Sequence, residues 1–328
     1  MDAQSPEISV VVPALNEAVS LPPLLERLEA ALNPLGRSWE VLVVDDGSTD
    51  GTAEVLRGMC RGRTGVRALI CRRNFGKSSA MQAGFAHVRG QVVVTIDADL
   101  QDDPAEIPNL LQALDAGADL VMGWKKNRND PGHKIVASRV FNWFGRRISG
   151  LPLRDMDCGL KAMRRLVADC VPLYGEMHRF FPVLAHRQGF RVAEVPVQHH
   201  ARRFGRSKYG ARRLVRGAFD FLTVLFLTGY ATRPLHFFGK PGLLLIGAGL
   251  LIDLHLIGQK LMGHYIGHRP LLSLGVLLLI LGALFLSNGL LGEMLLYASQ
   301  GKRDRLAPHI VRETCGFEKS GRASETEA

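Results

Sequence analysis

The chain has 328 residues, of which 47% are hydrophobic, so it can hold one large or two modest domains. Its formal net charge of +10 suggests a nucleic-acid partner until the positions of the basic residues are considered. Five scattered cysteines without CxxC spacing argue against a disulfide framework or a zinc site and favour a reducing compartment.

The N-terminus is polar and acidic and leads directly into a strand, so we expect no signal peptide. Short apolar runs then alternate with helical patterns. The predicted strands are Ile8–Val12, Val41–Val44, Val66–Cys71, Val92–Ile96 and Leu120–Gly123. The predicted helices are Leu21–Leu32, with Ser20 as N-cap, then Lys77–Val88 and Pro104–Ala116. This alternation predicts an α/β fold with a doubly wound, mostly parallel sheet.

Polar side chains follow three of these strands where each strand ends. They are Asn16 and Glu17, Asp45 and Asp46, and Asp97 and Asp99. Parallel strands place their carboxyl ends at one edge of the sheet, and that edge is where α/β proteins bind their ligands. We therefore expect one shared cleft there.

The stretch Gln91–Pro104 carries four carboxylates in its second half, which makes it a candidate binding site. Asp97 and Asp99 are two residues apart and project from the same side of an extended chain, so a hard divalent cation would let them lie together, with Gln101 lending a carbonyl. The alternative is an acidic turn in which Asp103 caps the helix that begins at Pro104. No phosphate-binding glycine loop follows the first strand, which disfavours dinucleotide-dependent dehydrogenases and P-loop enzymes.

Four short motifs follow one another between the first strand and the acidic stretch. They are Pro13–Glu17 (PALNE), Val44–Asp50 (VDDGSTD), Arg73–Lys77 (RNFGK) and Asp97–Gln101 (DADLQ). Their order and spacing resemble the family 2 glycosyltransferases with the GT-A fold. Within these, the chain resembles the polyprenyl-phosphate glycosyltransferases, which include dolichol-phosphate mannose synthases and bactoprenol-phosphate glycosyltransferases. The resemblance runs from about Ile8 to Tyr209.

The resemblance implies roles for these residues. The nucleotide-sugar site would comprise Pro13, Leu15, Asn16, Glu17, Asp45, Asp46, Lys77, Asp97 and Arg202. Mg²⁺ or Mn²⁺ would be held by Asp99 and Gln101. The carboxylates nearest the reaction would be Asp97, Asp99, Asp155 and Asp157, and the segment Leu151–Lys161 leaves the choice between the last two open, with a helix-capping turn as the alternative.

Residues 125–134 form a polar, basic stretch with Pro-Gly, which predicts a loop before a helix over Ile135–Ser149. A solvated surface loop is the alternative. By resemblance, this region and a later one would bind the acceptor phosphate through Arg128, Lys134, Ser138, Arg139, Arg202 and Lys208. A helix is predicted over Phe180–Gln188. His178 and Arg179 are weaker site candidates, whereas His199 and His200 are expected to be structural or exposed.

Residues 201–216 contain seven basic residues and no acidic one, and they include the family pattern RxxGxSKY from Arg202 to Tyr209. Nucleic acid fits this patch poorly, because stacking aromatic residues are not interleaved and membrane-seeking sequence follows at once. Attraction to anionic lipid headgroups fits better.

The last third of the chain predicts a membrane anchor. Phe219–Tyr230 is too short to span and reads as an interfacial helix, whereas Pro241–Gly258 and Pro270–Gly292 are long enough to cross. A buried core hairpin is the alternative. Basic residues outside both spans place the flanks in the cytoplasm. The polar tail is predicted to be disordered.

We therefore predict a GT-A catalytic domain over residues 1–210, an interfacial segment over 211–239, two transmembrane helices within 240–300 (about 241–259 and 270–296) and a tail over 301–328. The expected activity is metal-dependent, inverting sugar transfer from a nucleotide-diphosphate sugar to a polyprenyl phosphate at the inner membrane. Self-association into a homo-oligomer is left open. A processive polysaccharide synthase is one alternative, although the chain lacks its QxxRW motif. A non-catalytic nucleotide-sugar-binding membrane subunit is the other.

Overall fold

The computed structural model describes residues 5–126, 146–147, 150–200, 234–263, 270–299 and 311–315. Two compact units share the chain. Met1–Asp220 and Leu306–Ala328 together form the first, which we call the sheet unit, and Phe221–Arg305 form the second, the helical unit.

The sheet unit alternates strands and helices from its start, as predicted. Its strands are β1 (Ile8–Ala14), β2 (Trp39–Asp45), β3 (Val66–Cys71), β4 (Val92–Thr95), β5 (Leu120–Lys125), β6 (Lys161–Arg164), β7 (Val192–Val197) and β8 (Val311–Cys315). Its helices are α1 (Leu21–Leu32), α2 (Thr52–Gly62), α3 (Lys77–His87), α4 (Ile107–Asp115), α5 (Arg165–Cys170) and α6 (Phe181–Arg187). Three 3₁₀ turns cover Asn33–Leu35, Pro104–Glu106 and Met177–Phe180.

The strands within the described residues belong to one sheet, in the order β7-β5-β6-β4-β1-β2-β3-β8. The pairs β3–β2, β2–β1, β1–β4 and β5–β7 are parallel, whereas β6 runs antiparallel to both β4 and β5. Long runs of consecutive buried residues in β1, β2 and β3 show that both faces of the sheet are covered. The α/β prediction is confirmed, with a mixed sheet.

Before the apolar helices, the strands β6 and β7 escaped prediction because their sequences carry little strand signal. β6 begins and ends with a basic residue, and β7 contains Glu194 and Pro196. The predicted helix from Pro104 begins instead as a 3₁₀ turn, and α4 starts only at Ile107.

Disorder was also expected throughout the polar tail, and that prediction is wrong for Val311–Cys315. These five residues form β8, which pairs antiparallel with β3. Their sequence, VRETC, has no apolar run, so the strand depends on the unpaired edge that β3 offers rather than on its own pattern.

A buried ion cluster joins the first three strands at the end opposite the predicted cleft. Glu40 accepts hydrogen bonds from Ser9 Oγ (2.7 Å), Arg67 Nη1 (2.7 Å) and Arg89 N (2.8 Å). Burial by itself raises the pKa of Glu40, but these donors outweigh burial and lower it. Because the charge is fully hydrogen-bonded, it can remain in the interior and fix the register of the strands.

The helical unit contains α7 (Pro234–Leu261) and α8 (Pro270–Ser299), both long and apolar enough to cross a membrane. Windows of 27 and 23 residues, at mean hydropathy 1.8 and 2.4, correspond to about 40 and 35 Å of helix, which exceeds the ~30 Å hydrocarbon core. The first span was predicted to begin at about residue 241, which is too late. The helix begins at Pro234 and keeps Pro241 inside it, which apolar helices tolerate when a neighbouring helix packs closely.

Glycines allow that close packing. A Cβ at Gly249 would lie 2.8 Å from the carbonyl oxygen of Gly275, and a Cβ at Gly282 would lie 2.7 Å from that of Gly242. The two helices therefore touch backbone to backbone, as small residues permit in membranes. The predicted interfacial helix Phe219–Tyr230 lies outside the described residues.

Candidate functional site

The loops after β1 and β2 are tied to each other at the carboxyl edge of the sheet. Asn16 adopts a positive φ of 57°. Its side-chain oxygen accepts from Thr49 N at 2.8 Å, and its backbone N donates to Ser48 Oγ at 2.8 Å. The side-chain oxygen of Asn16 therefore already accepts a hydrogen bond from the neighbouring loop. The predicted contact of Asn16 with a ligand stays a prediction. Pro13 and Leu15 are half-buried beside it.

Asp45 lies at the end of β2 with 1% of its surface exposed. One carboxylate oxygen, Oδ1, accepts from both the backbone N and the hydroxyl of Ser48. The other, Oδ2, is enclosed and has no hydrogen-bond partner among the described residues. An enclosed carboxylate oxygen without a donor is costly, and a ligand N–H or O–H could reach it only after the surrounding loops moved.

Asp46 has a different environment from its neighbour. Its two oxygens accept from the backbone N–H groups of Phe75 (2.8 Å) and Gly76 (2.9 Å). At Gly47, whose φ is +72°, a Cβ would lie 2.3 Å from the carbonyl carbon of Arg73. Asp46 and Gly47 therefore hold the loop after β3 against the loop after β2, and the predicted nucleotide contact of Asp46 stays a prediction. Burial raises the pKa of Asp46, against these two hydrogen bonds.

Lys77 and Asp97 form a bidentate ion pair, with Lys77 Nζ at 2.6 and 2.8 Å from the two carboxylate oxygens. Lys77 opens α3, and Asp97 follows β4, so the pair joins two neighbouring elements at the predicted cleft. About a third of each side chain is exposed (34% and 31%). A ligand anion could therefore reach Lys77 from solvent.

Asp99 and Gln101 flank a strained residue. Leu100 is buried, and its φ of 60° is unusual for a side chain of this kind. This turn brings Gln101 N within 3.2 Å of Asp99 Oδ1. The amide nitrogen of Gln101 lies 3.5 Å from the carbonyl oxygen of His200, which turns the nitrogen side of the amide towards residues 199 and 200.

The two carboxylates that follow are structural. Asp102 is 1% exposed and pairs with Lys125 Nζ at 3.3 Å and His199 Nδ1 at 3.6 Å. Burial by itself raises the pKa of Asp102, but Lys125 and His199 outweigh burial and hold it well below its usual range. Asp103 accepts from Ala105 N, so the alternative that it caps the following turn is confirmed.

His200 Nε2 also lies 2.8 Å from Asp103, and its backbone N donates to the carbonyl oxygen of Gln101 at 2.8 Å. The expectation that His199 and His200 are structural or exposed agrees with these contacts. The segment after β7 thus holds the acidic loop in place.

The two alternatives Asp155 and Asp157 differ in exposure. Asp155 is 1% exposed, and its backbone N donates to Glu194 Oε1 at 2.8 Å. Asp157 is exposed. Gly159, two residues on, lies so close to Asp97 that a Cβ there would be 2.7 Å from its carboxylate. This segment therefore borders the cleft, and its accessible carboxylate is that of Asp157.

Lys161 was not predicted as a site residue, although β6 places it at the cleft. It pairs in register with Thr95 at the end of β4 and with Met122 of β5, and only 3% of it is exposed. Its Nζ lies 5.7 Å from the centre of the Phe181 ring. A lysine two residues after a glycine of the acidic segment is the only sequence signal it offers.

His178, one of the weaker candidates, is 8% exposed and bonds to Ser78 of α3. Its Nδ1 lies 2.9 Å from Ser78 Oγ, and its backbone N donates to the same oxygen at 3.1 Å. Burial, Lys77, Lys161 and Arg179 lower the pKa of His178 to about 3, against Asp157. The imidazole is therefore neutral at physiological pH.

The predicted acceptor-phosphate residues Arg128, Lys134, Ser138, Arg139, Arg202 and Lys208 lie outside the described residues. Within the described part of the chain, no group of three His, Cys, Asp or Glu side chains could hold a metal ion. Asp99 and Gln101 are the residues of this edge that the resemblance assigns to a metal ion.

The profile of glycosyl transferase family 2 matches residues 9–171. The dodecaprenyl-phosphate galacturonate synthase of Rhizobium johnstonii is 42% identical over 318 residues, covering 94% of this chain and 93% of that protein. The undecaprenyl-phosphate 4-deoxy-4-formamido-L-arabinose transferase of Klebsiella pneumoniae is 37% identical over 290 residues, covering 88% and 87% of the two chains.

Solved structures share the fold at lower identity. Mannosyl-3-phosphoglycerate synthase from Rubrobacter xylanophilus superposes with a TM-score of 0.52 at 21% identity, over 67% of this chain and 73% of that one. Glucosyl-3-phosphoglycerate synthase from Mycobacterium tuberculosis, in complex with Mn²⁺, uridine diphosphate and phosphoglyceric acid, gives 0.52 at 21% identity, over 68% and 78%.

Proposed function

Because the chain belongs to glycosyl transferase family 2, and within it to the polyprenyl-phosphate glycosyltransferases, we propose that it transfers one sugar from a nucleotide-diphosphate sugar to a polyprenyl phosphate. The product is a polyprenyl-monophosphate sugar, with inversion at the anomeric carbon. The observation that carries this proposal is the 42% identity over 94% of the chain, because it extends through both the sheet unit and the apolar helices.

The donor lies along the carboxyl edge in the order of the strands. Asp45, which ends β2, is the residue we assign to the nucleoside, whose N–H or O–H group could reach Oδ2 once the surrounding loops moved. Glu17, whose backbone N donates to Thr52 Oγ1 at 3.0 Å, lies in the adjoining loop. Lys77, whose side chain is 34% exposed, faces the diphosphate and exchanges its contact with Asp97 for a phosphate oxygen.

Asp99 and Gln101 offer oxygen ligands of the kind that Mg²⁺ and Mn²⁺ take. The nitrogen side of the Gln101 amide faces His200, so its oxygen is the atom that would ligate the ion. When bound, the metal supplies positive charge to the leaving diphosphate. Asp99 and Gln101 would keep that charge at the end of β4.

The acceptor needs positioning more than activation. A phosphate monoester has a second pKa near 6 and is already largely ionised at neutral pH, so no strong general base is required. The protein must instead bring two anions together and align the attack. Arg128, Lys134, Ser138, Arg139, Arg202 and Lys208 are the residues we assign to the acceptor phosphate. Asp157 borders the reacting centre.

Transfer by the purified, detergent-solubilised protein tests the proposal. Incubation with a radiolabelled nucleotide sugar, undecaprenyl phosphate and Mn²⁺ should place label in an organic-phase lipid that carries a single sugar and that mild acid hydrolyses. Each turnover should release one nucleoside diphosphate.

Two other results would contradict the proposal. A growing polymer would indicate a processive synthase, the first alternative. Donor binding without any transfer, across a panel of uridine and guanosine sugars, would indicate a non-catalytic subunit.

The topology proposal rests on β8. Residues before α7 and after α8 belong to one unit, the sheet unit, so a membrane-spanning α7–α8 hairpin must enter and leave on the same side. We assign that side to the cytoplasm, with the sheet unit and both termini there and the hairpin in the inner membrane.

Single cysteines check this topology in a variant whose native cysteines are alanine. A membrane-impermeant maleimide should label His264→Cys in intact spheroplasts, and it should label the control Lys302→Cys only after the membrane is opened. Labelling of Lys302→Cys alone in intact spheroplasts would invert the assigned orientation.

A further inference from the structure

Two buried hydrogen-bond donors border the cleft without an acceptor among the described residues. The first is the ammonium group of Lys161, whose residue is 3% exposed. Among the described residues, Lys161 Nζ has no hydrogen-bond or ion-pair partner, and its near neighbour is the ring of Phe181 at 5.7 Å. Burial and Lys77 lower the pKa of Lys161, while Asp157 and Asp97 oppose them.

The second donor is His178 Nε2–H, in the tautomer in which Ser78 donates to Nδ1. The hydroxyl oxygen of Ser78 accepts from the backbone N of His178 and lies 2.9 Å from His178 Nδ1. When the Ser78 hydroxyl donates to Nδ1, a neutral imidazole carries its proton on Nε2 and can donate there. In the described part of the chain, Ser78 is the only hydrogen-bond partner of this side chain.

Neither Lys161 Nζ nor His178 Nε2 is among the fully enclosed polar atoms that lack a partner. Each therefore keeps an opening to solvent, through which a ligand oxygen can reach it. Leaving a buried ammonium and a buried N–H group without acceptors is costly, so each group calls for an explanation such as a ligand. An oxygen-rich, anionic group that entered the cleft would supply the acceptors that both donors need.

The order of the strands gives this site its place along the donor. The nucleoside lies at β2 and the diphosphate at β4 in the proposed function, on which this inference rests. The next strand beyond β4 is β6, which carries Lys161 at the same edge. We propose that Lys161 and His178 form the subsite for the donor's sugar, and that the sugar carries a carboxylate, as in a nucleotide uronate.

Charge favours a carboxylate over a hydroxyl group. The other cations near this place have other roles: Lys77 is assigned to the diphosphate, and Arg179 pairs with Glu176 at 3.0 Å through Nη2, although its Nε is enclosed without a partner among the described residues. In the same part of the chain, Lys161 has no ion-pair partner. A carboxylate on the sugar would give its ammonium both a hydrogen bond and a counter-charge, and His178 would donate to a second sugar oxygen.

Calorimetry on the full-length protein in detergent, with Mn²⁺, tests the subsite. The ligands are UDP, UDP-galactose and UDP-galacturonate, with GDP, GDP-mannose and GDP-mannuronate in parallel. The wild type should bind the uronate about ten- to a hundredfold more tightly than the neutral sugar nucleotide. Lys161→Met should abolish that preference and leave the affinity for the free nucleotide unchanged. His178→Phe should weaken both sugar nucleotides about two- to tenfold and spare the free nucleotide.

Arg164→Met is the matched control, because Arg164 lies on the same strand at the opposite end, in register with Val92. It should keep the preference for the uronate. The thermal midpoint of Lys161→Met should equal or exceed that of the wild type, because an apolar side chain replaces an unpaired buried charge.

Three results would overturn the inference. The first is a wild type that prefers neither uronate over its neutral sugar nucleotide. The second is an equal loss of affinity for the free nucleotide in Lys161→Met, which would assign the cation to the diphosphate. The third is a lower thermal midpoint of Lys161→Met with the preference for the uronate intact. Absence of binding to every nucleotide would instead refute the proposed function, and the inference with it.

Discussion

Asp102→Asn is expected to lower the free energy of unfolding of the sheet unit by about 3–5 kcal/mol, the range for removing one partner of a buried ion pair. Asp102 is 1% exposed and pairs with Lys125, whose side chain is 16% exposed. In the Asp102→Asn variant a neutral amide replaces the carboxylate, so Lys125 would keep its charge in a poorly solvated position. His199 would also lose the carboxylate that faces its Nδ1.

Urea unfolding of the detergent-solubilised protein, followed by tryptophan fluorescence, to which Trp124 beside Lys125 contributes, measures this loss. Asp103→Asn is the control. Asp103 is the adjacent carboxylate, but its side chain is 25% exposed, and asparagine can still cap the turn through its oxygen. It should cost no more than about 1 kcal/mol. Equal losses in the two variants would mean that burial of the Asp102 pair does not matter.

The strand ends could be predicted because each follows an apolar run and carries a polar group. Asp45 after β2 and Asp97 after β4 needed only that local pattern and the rule that parallel strands share an edge. The different roles of the adjacent residues Asp45 and Asp46 could not be predicted. Asp45 keeps an enclosed oxygen, whereas Asp46 holds the backbone of Phe75 and Gly76, and only the approach of another loop decides between them.

The residues that pair with the acidic loop could not be predicted from the sequence for a related reason. Lys125 and His199 reach Asp102 through the parallel pairing of β5 with β7 and the bridge that follows it. Lys161 reaches the cleft through the register of the antiparallel strand β6. A one-residue shift in that register would turn the lysine to the other face of the sheet. In the sequence, the carboxylates of the acidic loop suggested a metal cation as their counter-charge. In the fold, lysine and histidine side chains supply several of these counter-charges.

Asp99→Asn is expected to reduce sugar transfer by at least about a hundredfold, the scale on which an enzyme loses one group that stabilises charge in the transition state. Asparagine keeps an oxygen that can accept from Gln101 N, so the turn around Leu100, with its φ of 60°, should persist. What the variant lacks is the negative charge that would anchor a divalent cation beside the leaving diphosphate.

Initial rates of lipid-linked sugar formation, together with Mn²⁺ titration of the protein by calorimetry, separate the metal from the fold. Asp99→Asn should bind Mn²⁺ more weakly in the presence of nucleotide, and it should unfold at the same urea concentration as the wild type. Asp115→Asn is the control, because Asp115 ends α4 with its side chain 53% exposed and pairs only with Arg37 among the described residues. Its transfer rate should match the wild type.

EDTA should abolish transfer by the wild type, and added Mn²⁺ or Mg²⁺ should restore it, because the carboxylate and the ion act as one unit. For the same reason, Asp99→Asn should respond far less to added metal than the wild type does. If Asp99→Asn turned over at nearly the wild-type rate, or if EDTA left the wild type fully active, Asp99 would not be a metal ligand. The charge on the leaving diphosphate would then have to be met by side chains alone, and Lys77, which the ion pair with Asp97 holds at the cleft, would be the first to substitute.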